Sequence, residues 1–454
     1  MVSTRPAKGT RDFLPDDVRR REYVIRVIRE VYELHDFQPL QTPTLERIDT
    51  LLGKYGDEGD QLIFRVMRRG ASLHRALQKD APSKDTLADL GLRYDLTVPL
   101  ARVVAEHSGA LPAIFKRYRI QPVWRADKPQ KGRFREFFQC DVDITGCTEM
   151  IAEAEVMGAV AMVLGRLGFE DTRIRLNHRD VLFGLIEVAG IDPALETDTL
   201  VGIDKLDKIG WEGVEAELAE RGVSAAQVAA LKPLLAIQGT VEETLGQLGE
   251  ALASSERGAR GVAELRALWS LARGNAAGAI VDIDASLARG LSYYTGPIFE
   301  VASPAFSGSL GGGGRYDNLI GMFQKSPVPA VGFSLGLERL IVLMDERGMY
   351  PEDLMSGPDV MVAVMNADTA PESVRLAAEL RGLGVRVALY PGVQAKMGKQ
   401  FKYADSVHAR FVALIGPDEV ASGTVAIKNL ATREQVSVPR GEVADRLLGR
   451  LETT

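Results

Sequence analysis

Cysteine is almost absent from this chain: Cys140 and Cys147 are the only two in 454 residues. Two thiols cannot build a disulfide framework, and a reducing compartment suits them. Histidine is nearly as scarce, and His35, His74, His107, His178 and His408 are scattered. None stands beside a cysteine or a second histidine at ligand spacing, so no zinc or other metal site is expected. No apolar run approaches the roughly 20 residues that a membrane helix needs, which sets a membrane partner aside. The opening residues, MVSTRPAKGTRDF, are polar and charged and lack a signal-peptide core, so a cytoplasmic location is expected. Neither a G-x-x-x-x-G-K-S/T loop nor a G-x-G-x-x-G after a strand is present, and a nucleotide site of either kind is excluded.

What is present is a chain longer than one hydrophobic core usually holds, so two or three domains are expected. Hydrophobic residues make up 46% and charged residues 26%, as in ordinary globular proteins. The net charge of -7 argues against wholesale coating by nucleic acid. Its distribution says more. Residues 181–275 hold 8 Lys+Arg against 15 Asp+Glu, whereas residues 357–454 hold 12 against 11. The acidity sits in one middle segment, and local basic patches elsewhere could still meet a nucleic acid.

The periodicity predicts an amphipathic helix over 16–34, capped by Asp16, with Val24, Ile28, Val31 and Tyr32 on one face. It runs into an extended, proline-marked segment at 37–43. A second helix is expected over 148–167, stopped by Gly168, and a short strand over 173–177. Residues 181–275 are helical in pattern and rich in Ala, Leu and Glu, which reads as an inserted helical domain. Strands return at 279–284, at 297–301 and in the glycine run. After a linker at 352–358, short strands are expected at 360–364, 385–388, 411–415 and 425–429. Helices at 372–383 and 399–408 alternate with the first three, giving a small α/β domain.

The most informative stretch is 115–146. Residues 118–125 and 135–144 alternate with period two and read as antiparallel strands. The loop between them carries Lys128, Lys131 and Arg133 beside Pro129 and Gly132. One floor thus receives an arginine at a strand end, a cationic loop, and acids with an amide on the second strand. Such a floor suits a polyphosphate beside a small cationic or hydrogen-bonding ligand. An ordinary hairpin with a solvated charged loop fits the same residues equally well.

This hairpin resembles motif 2 of the class II aminoacyl-tRNA synthetases, in the form found in the histidyl-tRNA synthetase family. Residues 288–296, ARGLSYYTG, resemble that family's RGLDYYTG signature. Residues 311–317, GGGGRYD, resemble its second signature, and residues 331–339, VGFSLGLER, resemble class II motif 3. GTRDFLP at 9–15 and LRYDLT at 92–97 also fit. The helix and proline-marked strand at 16–43 look like motif 1, which forms the dimer interface in that family; a surface helix covering a sheet edge fits those residues as well. The six motifs other than motif 1 stand in the family's order and span nearly the whole chain.

The resemblance implies an α+β catalytic core, a class II antiparallel sheet with flanking helices, interrupted by a helical insertion and followed by a C-terminal α/β domain. The core would occupy 1–180 and 276–351, the insertion 181–275, and an anticodon-binding domain 357–454. The implied activity is ATP-dependent ligation of L-histidine to histidine tRNA through a histidyl-adenylate, by a homodimer, with Mg2+ arriving on ATP. Two rivals share parts of the pattern. A non-catalytic regulatory subunit of histidine biosynthesis is opposed by Arg125, Arg289, Arg339 and the C-terminal segment. A module sensing uncharged tRNA would be expected beside a kinase region.

Adenylate formation brings two anions together, so fixed cations must stabilise the phosphoryl oxygens. Arg125, at a rigid strand end, and Arg289, beside Gly290, can grip phosphate bidentately. By resemblance these two meet the α-phosphate region and are the catalytic pair. Arg133 and Arg339 would hold the far phosphates, and Phe137 would stack on adenine. On the residues alone, Arg339 could equally make a helix-face ion pair, and Arg133 could be a solvated loop charge. A neutral imidazole offers one donor and one acceptor, and a selective pocket must answer both. By resemblance Asp143 and Tyr294 read the imidazole, and Tyr293 belongs to the same histidine site. Asp95, Thr97 and Gln139 would hold the α-ammonium, with Arg289 also meeting the histidine. Gln130 and Lys131 of the loop would meet tRNA. A buried aromatic pair is the commoner meaning of adjacent tyrosines. Four glycines at 311–314 fit a strand bed that a ligand or backbone approaches closely. Ser292 stands where the family usually has an acid, which bears on the orientation of Arg289. Asp143 is the shorter of the two acids the family uses. In the C-terminal segment Lys396, Lys399, Lys402, Arg410 and Lys428 could be a solvated face; the resemblance implies anticodon contacts.

Overall fold

The computed structural model describes residues 3–53, 56–79, 81–130, 132–289, 293–355 and 357–449. Lys131, Gly290 and Ser292 lie outside the described residues. The chain divides into two units, Met1–Met349 and Tyr350–Thr454.

An eight-stranded sheet forms the frame of the first unit. Its strands are β1 (Gln38–Pro39), β2 (Phe115–Trp124), β3 (Glu136–Thr145), β4 (Arg173–His178), β5 (Val281–Ile283), β6 (Pro297–Ser303), β7 (Phe306–Arg315) and β8 (Ala330–Gly336). They lie in the order β1-β2-β3-β8-β7-β6-β4-β5. The end pairs, β1 with β2 and β4 with β5, are parallel, and the rest are antiparallel. β2 and β3 are the expected hairpin. The glycines at 311–314 are the interior of β7, held between β6 and β8. A Cβ at Gly313 would come within 2.1 Å of the Gly332 carbonyl oxygen, so the close approach of β8 requires glycine there.

Helices cover this sheet: α1 (Pro15–Leu34), α2 (Ile151–Arg166) and α3 (Leu337–Arg347). In α1 the side chains of Val24, Ile28, Val31 and Tyr32 are wholly buried. Burying each such side chain is worth about 1.5–3 kcal/mol. The cap differs from expectation. Leu14 N–H donates to Asp17 Oδ2 at 3.1 Å, with Pro15 opening the helix. Asp16 instead accepts from Arg19 at 2.7 Å, one turn along the exposed side. α2 starts at Ile151, not 148, and the chain leaves it through Gly168 at φ +84°. A small three-stranded sheet, with Ala88–Leu92 between Leu45–Arg47 and Arg65–Met67, was not foreseen. Strands of three residues are too short to display a period.

Between β4 and β5 the chain is helical: Arg179–Val188, Glu196–Ile203, Leu206–Glu220, Ala225–Leu235, Val241–Ala251 and Glu256–Ala272. Capping boxes at Ser224/Gln227 and Thr240/Glu243 start two of them. Leu218, Leu231, Leu248, Leu265 and Leu268 are buried between them. Among the described residues no helix is long and apolar enough to cross a membrane.

The second unit has a five-stranded sheet of β9 (Val360–Val362), β10 (Val387–Leu389), β11 (Phe411–Leu414), β12 (Thr424–Asn429) and β13 (Gln435–Pro439), ordered β10-β9-β11-β12-β13. β9 pairs parallel with both neighbours. Both of its faces are covered: Val360 and Val362 pack with Leu376 and Leu380, Met361 with Ala404. That explains its continuous apolar run. β13 was not expected, because of its five residues only Val438 is buried.

Candidate active site

The site begins as a polar ladder on one face of the hairpin. Register places Arg117 opposite Asp143, Arg119 opposite Asp141, and Gln121 opposite Gln139. Arg117 is wholly buried, with Nη2 2.7 Å from Asp143 Oδ2 and 3.9 Å from Asp141 Oδ2. Tyr316 donates its hydroxyl to Asp143 Oδ1. Gln139 Nε2 donates to Ser334 Oγ at 2.8 Å. Burial pushes both Asp141 and Asp143 above the usual carboxylate range, and Arg117 is the largest opposing influence. Burial pulls Arg119 down to about 9, with Arg117 and Arg93 adding to the effect. Arg93 is lowered to about 10, again by burial, and donates to the carbonyl oxygens of Thr42, Pro43 and Pro122.

The ladder floors an inner pocket of about 110 Å³, walled by Asp95, Thr97, Tyr293, Tyr294 and Tyr316. Asp95 Oδ1 accepts from Val98 N–H at 3.0 Å and so starts the helix Thr97–Glu106. The rings of Tyr293 and Tyr294 meet edge to face at 4.6 Å, and Tyr316 meets Tyr293 at 6.3 Å. They are therefore a packed aromatic group and a pocket wall at once. Burial raises Tyr294 to about 12 and lifts Tyr293 and Tyr316 well above the usual phenol range. All three remain hydroxyl donors at neutral pH. The pocket thus offers carboxylates, phenol hydroxyls and an amide to a small polar guest.

A larger cavity of about 570 Å³ shares Asp95, Arg125, Gln139 and the tyrosine pair with the inner pocket. Arg125 follows directly on β2, and its Nε donates to the Tyr94 carbonyl oxygen at 3.1 Å. Its guanidinium lies 4.3 Å from the Tyr94 ring centroid and 5.2 Å from that of Phe137. Arg289 holds Glu300 at 2.5 Å through Nε and donates to Ser309 Oγ at 3.1 Å through Nη2. Arg339, on α3, donates to the Ser309 carbonyl oxygen rather than to an acid one turn away. Arg133 is half exposed, 3.9 Å from Asp127. Burial lowers the pKa of Arg339, and Arg289, Arg133 and Arg125 lower it further. Four guanidiniums repelling one another in one cavity make a receptor for a multiply charged anion. Two glycines make room for these groups. A Cβ at Gly312 would lie 2.2 Å from Arg289 Nη1, and one at Gly332 would lie 1.9 Å from Asp143 Oδ1.

Sequence-predicted residues therefore converge in two joined spaces: Arg133, Phe137, Arg289 and Arg339 in the larger, and Thr97 and Asp143 in the smaller, with Asp95, Arg125, Gln139, Tyr293 and Tyr294 in both. Gln130 lines a neighbouring cavity of about 860 Å³ and closes the loop by exchanging backbone hydrogen bonds with Arg133. Lys131 lies outside the described residues. Arg117, Tyr316, Ser334 and Glu300 were missed. Arg117 was legible: R-x-R-x-Q at 117–121 faces Q-x-D-x-D at 139–143 in any hairpin closed by the 126–134 loop.

Comparison with known proteins agrees with this geometry. The family model described as Histidyl-tRNA synthetase matches residues 9–340, and the one described as Anticodon binding domain matches residues 359–450. The histidine–tRNA ligase of Flavobacterium johnsoniae is 42% identical, covering 99% of this chain and 100% of the relative. That of Porphyromonas gingivalis is 43% identical, covering 95% and 96%. The crystal structure of histidyl-tRNA synthetase from Nostoc sp. PCC 7120 superposes with a TM-score of 0.82 at 30% identity, covering 99% of this chain and 100% of that one.

Proposed function

The chain belongs to the histidyl-tRNA synthetase family and ligates histidine to tRNA as a class II synthetase, with ATP as a substrate; from that premise we propose how its residues divide the work. The inner pocket takes the histidine. Asp143 and Tyr294 answer the imidazole nitrogens, with Tyr293 behind them, and Asp95, Thr97 and Gln139 hold the α-ammonium. Arg289 lines the larger cavity over Gly312, which borders both spaces, and meets both the histidine carboxylate and the α-phosphate. Arg125 grips the same phosphate from the strand end. Arg133 and Arg339 hold the outer phosphates, and Phe137 supports the adenine. Mg2+ enters with ATP as part of the substrate.

One observation carries this reading: the carboxylate–phenol pocket opens into the cavity where the guanidiniums of Arg125, Arg289 and Arg339 face one another. Attack of the carboxylate on the α-phosphorus gathers charge on phosphoryl oxygens at the junction of the two spaces. A guanidinium fixed there stabilises that charge more in the transition state than in the ground state.

We assign tRNA contacts to Gln130 and Lys131 of the hairpin loop. The domains divide as 1–180 with 276–351 for the catalytic core, 181–275 for the insertion, and 357–454 for the anticodon reader; the change of unit at Met349/Tyr350 supports the last boundary. The protein works as a homodimer through the motif 1 segment, in the cytoplasm. A regulatory-subunit reading is not favoured, since relatives of about 40% identity over nearly the full length are histidine–tRNA ligases. The test is histidine-dependent exchange of pyrophosphate into ATP, with Arg289→Ala as the diagnostic variant. Its exchange rate should fall by on the order of 10² with little change in ATP affinity. An effect on the ATP KM alone would contradict the assignment.

A further inference from the structure

Besides Ser309, which lines the larger cavity, Arg289 is held by a residue that reaches neither proposed substrate space. A row of side chains crosses the sheet behind it. In β6, Glu300 stands opposite Gly312 of β7 on one side and Arg175 of β4 on the other. Gly312 is the position over which the Arg289 guanidinium lies. Each carboxylate oxygen of Glu300 has its own cation: Oε2 is 2.5 Å from Arg289 Nε, and Oε1 is 3.4 Å from Arg175 Nη1. Arg175 is held on two further sides, by Asp284 at 2.5 Å and by Asp207 at 2.7 Å. Asp207 belongs to the helix Leu206–Glu220, in the segment inserted between β4 and β5. Glu300 lines the neighbouring cavity of about 860 Å³ and not the inner pocket or the cavity of the guanidiniums. Of the four guanidiniums, the one it contacts directly is that of Arg289.

We infer that Glu300, presented by Arg175, is a positioning residue that aims Arg289, and that the grip of Asp207 on Arg175 ties this aim to the seating of the helix Leu206–Glu220. The inference rests on the catalytic role proposed for Arg289. A guanidinium gripped at Nε by a buried carboxylate keeps its Nη1 and Nη2 groups pointed outward, toward the substrate spaces. Without Glu300, Arg289 would keep its charge and lose its direction. Anything that shifts the inserted helix pulls on Arg175 and so on the carboxylate that aims the catalytic arginine.

The test uses full-length protein, pyrophosphate-exchange kinetics and thermal unfolding. Glu300→Gln keeps the shape and removes the charge; its kcat should fall on the order of tenfold, with both KM values within about twofold of wild type. In the Arg289→Ala background the same change should cost no further rate, because a group acting through Arg289 has nothing left to aim. Arg175→Lys, which keeps charge and loses the fork, should give a smaller loss of the same kind, again absent in Arg289→Ala. Asp207→Asn should lower kcat about two- to threefold, since Asp207 is exposed, and should add nothing to Glu300→Gln. Should Glu300→Gln fail to fold, the Arg175→Lys cycle decides. An unchanged kcat in Glu300→Gln, or losses that multiply with Arg289→Ala, overturns the positioning role. An unchanged kcat in Asp207→Asn overturns the link to the inserted helix. Undiminished exchange in Arg289→Ala alone removes the premise and the inference with it.

Discussion

Gly332→Ala should do its damage through one carboxylate. The added methyl would sit 1.9 Å from Asp143 Oδ1 and 2.5 Å from its Cγ, against an ordinary contact of 3.4–4 Å. Asp143 must retreat by roughly 1.5 Å to restore normal contact. It has nowhere to go. It is 2% exposed, its Oδ2 lies 2.7 Å from Arg117, and its Oδ1 holds the Tyr316 hydroxyl. Gly332 cannot retreat either, since it is paired with Asp143 on one side and Gly314 on the other. Overpacking a rigid site costs about 1–3 kcal/mol. Straining a hydrogen bond to a charged group adds about 1.5–3 kcal/mol. The expected loss of unfolding free energy is therefore on the order of 3–5 kcal/mol. Urea denaturation measures it, and exchange kinetics with each substrate varied in turn locates it. The histidine KM should rise at least about tenfold while the ATP KM moves little, because the displaced group belongs to the inner pocket. Asp143→Ala in the same chain removes the obstacle, so the double variant should be destabilised by less than the two single losses combined. A Gly332→Ala protein within about 1 kcal/mol of wild type, with normal histidine use, would refute the reasoning.

Three further outcomes are expected. Asp143→Ala should impair histidine use and spare ATP, because it leaves Tyr316 without its acceptor and Arg117 without its nearest counter-charge, at about 1–3 kcal/mol or more; equal effects on both KM values would indicate a collapsed hairpin. Removing the residues after 357 should leave pyrophosphate exchange in place and depress tRNA charging, and paired assays separate this from a loss of both. Glu155 is held down to about 2, first by its hydrogen bond with His35 and then by Lys116. Its folded pKa lies below the unfolded one, so its contribution is complete above the ordinary value of 4.5 and is lost as pH falls toward 2; Glu155→Gln should lower stability above that window and flatten its dependence on pH within it.

Much of this architecture was legible in the sequence, and the exceptions have physical causes. α1, the hairpin, β9, β11 and β12 announced themselves because each buries a periodic or continuous apolar set, and the glycine bed because its run of four glycines is unbroken. The three-residue strands around Ala88–Leu92 and the exposed β13 did not, since neither has length or burial enough to impose a pattern. Helix starts were the least reliable. Asp16 and Asp17 are equally good capping residues on paper, and only the geometry after Pro15 selects Asp17. In the site, charged residues on strands were readable as one face by period two. Partners from distant strands, such as Tyr316 and Glu300, were not, because nothing local fixes which strands become neighbours.

The polar ladder of the hairpin also acts as an alignment key. Apolar strands can slip by two residues and keep every side chain on its own face, so they specify their partner loosely. Here Arg117, Arg119 and Gln121 match Asp143, Asp141 and Gln139 rung by rung. A two-residue slip in one direction leaves Asp143 opposite Phe115; in the other it leaves Arg117 opposite Thr145. Either way a charge is stranded in the interior, which is far costlier than a mispaired apolar rung. The residues that prepare the pocket for its guest thus also decide, during folding, which hairpin can form. A change on one strand therefore calls for an answering change on the other, and this pocket can be remodelled only in pairs.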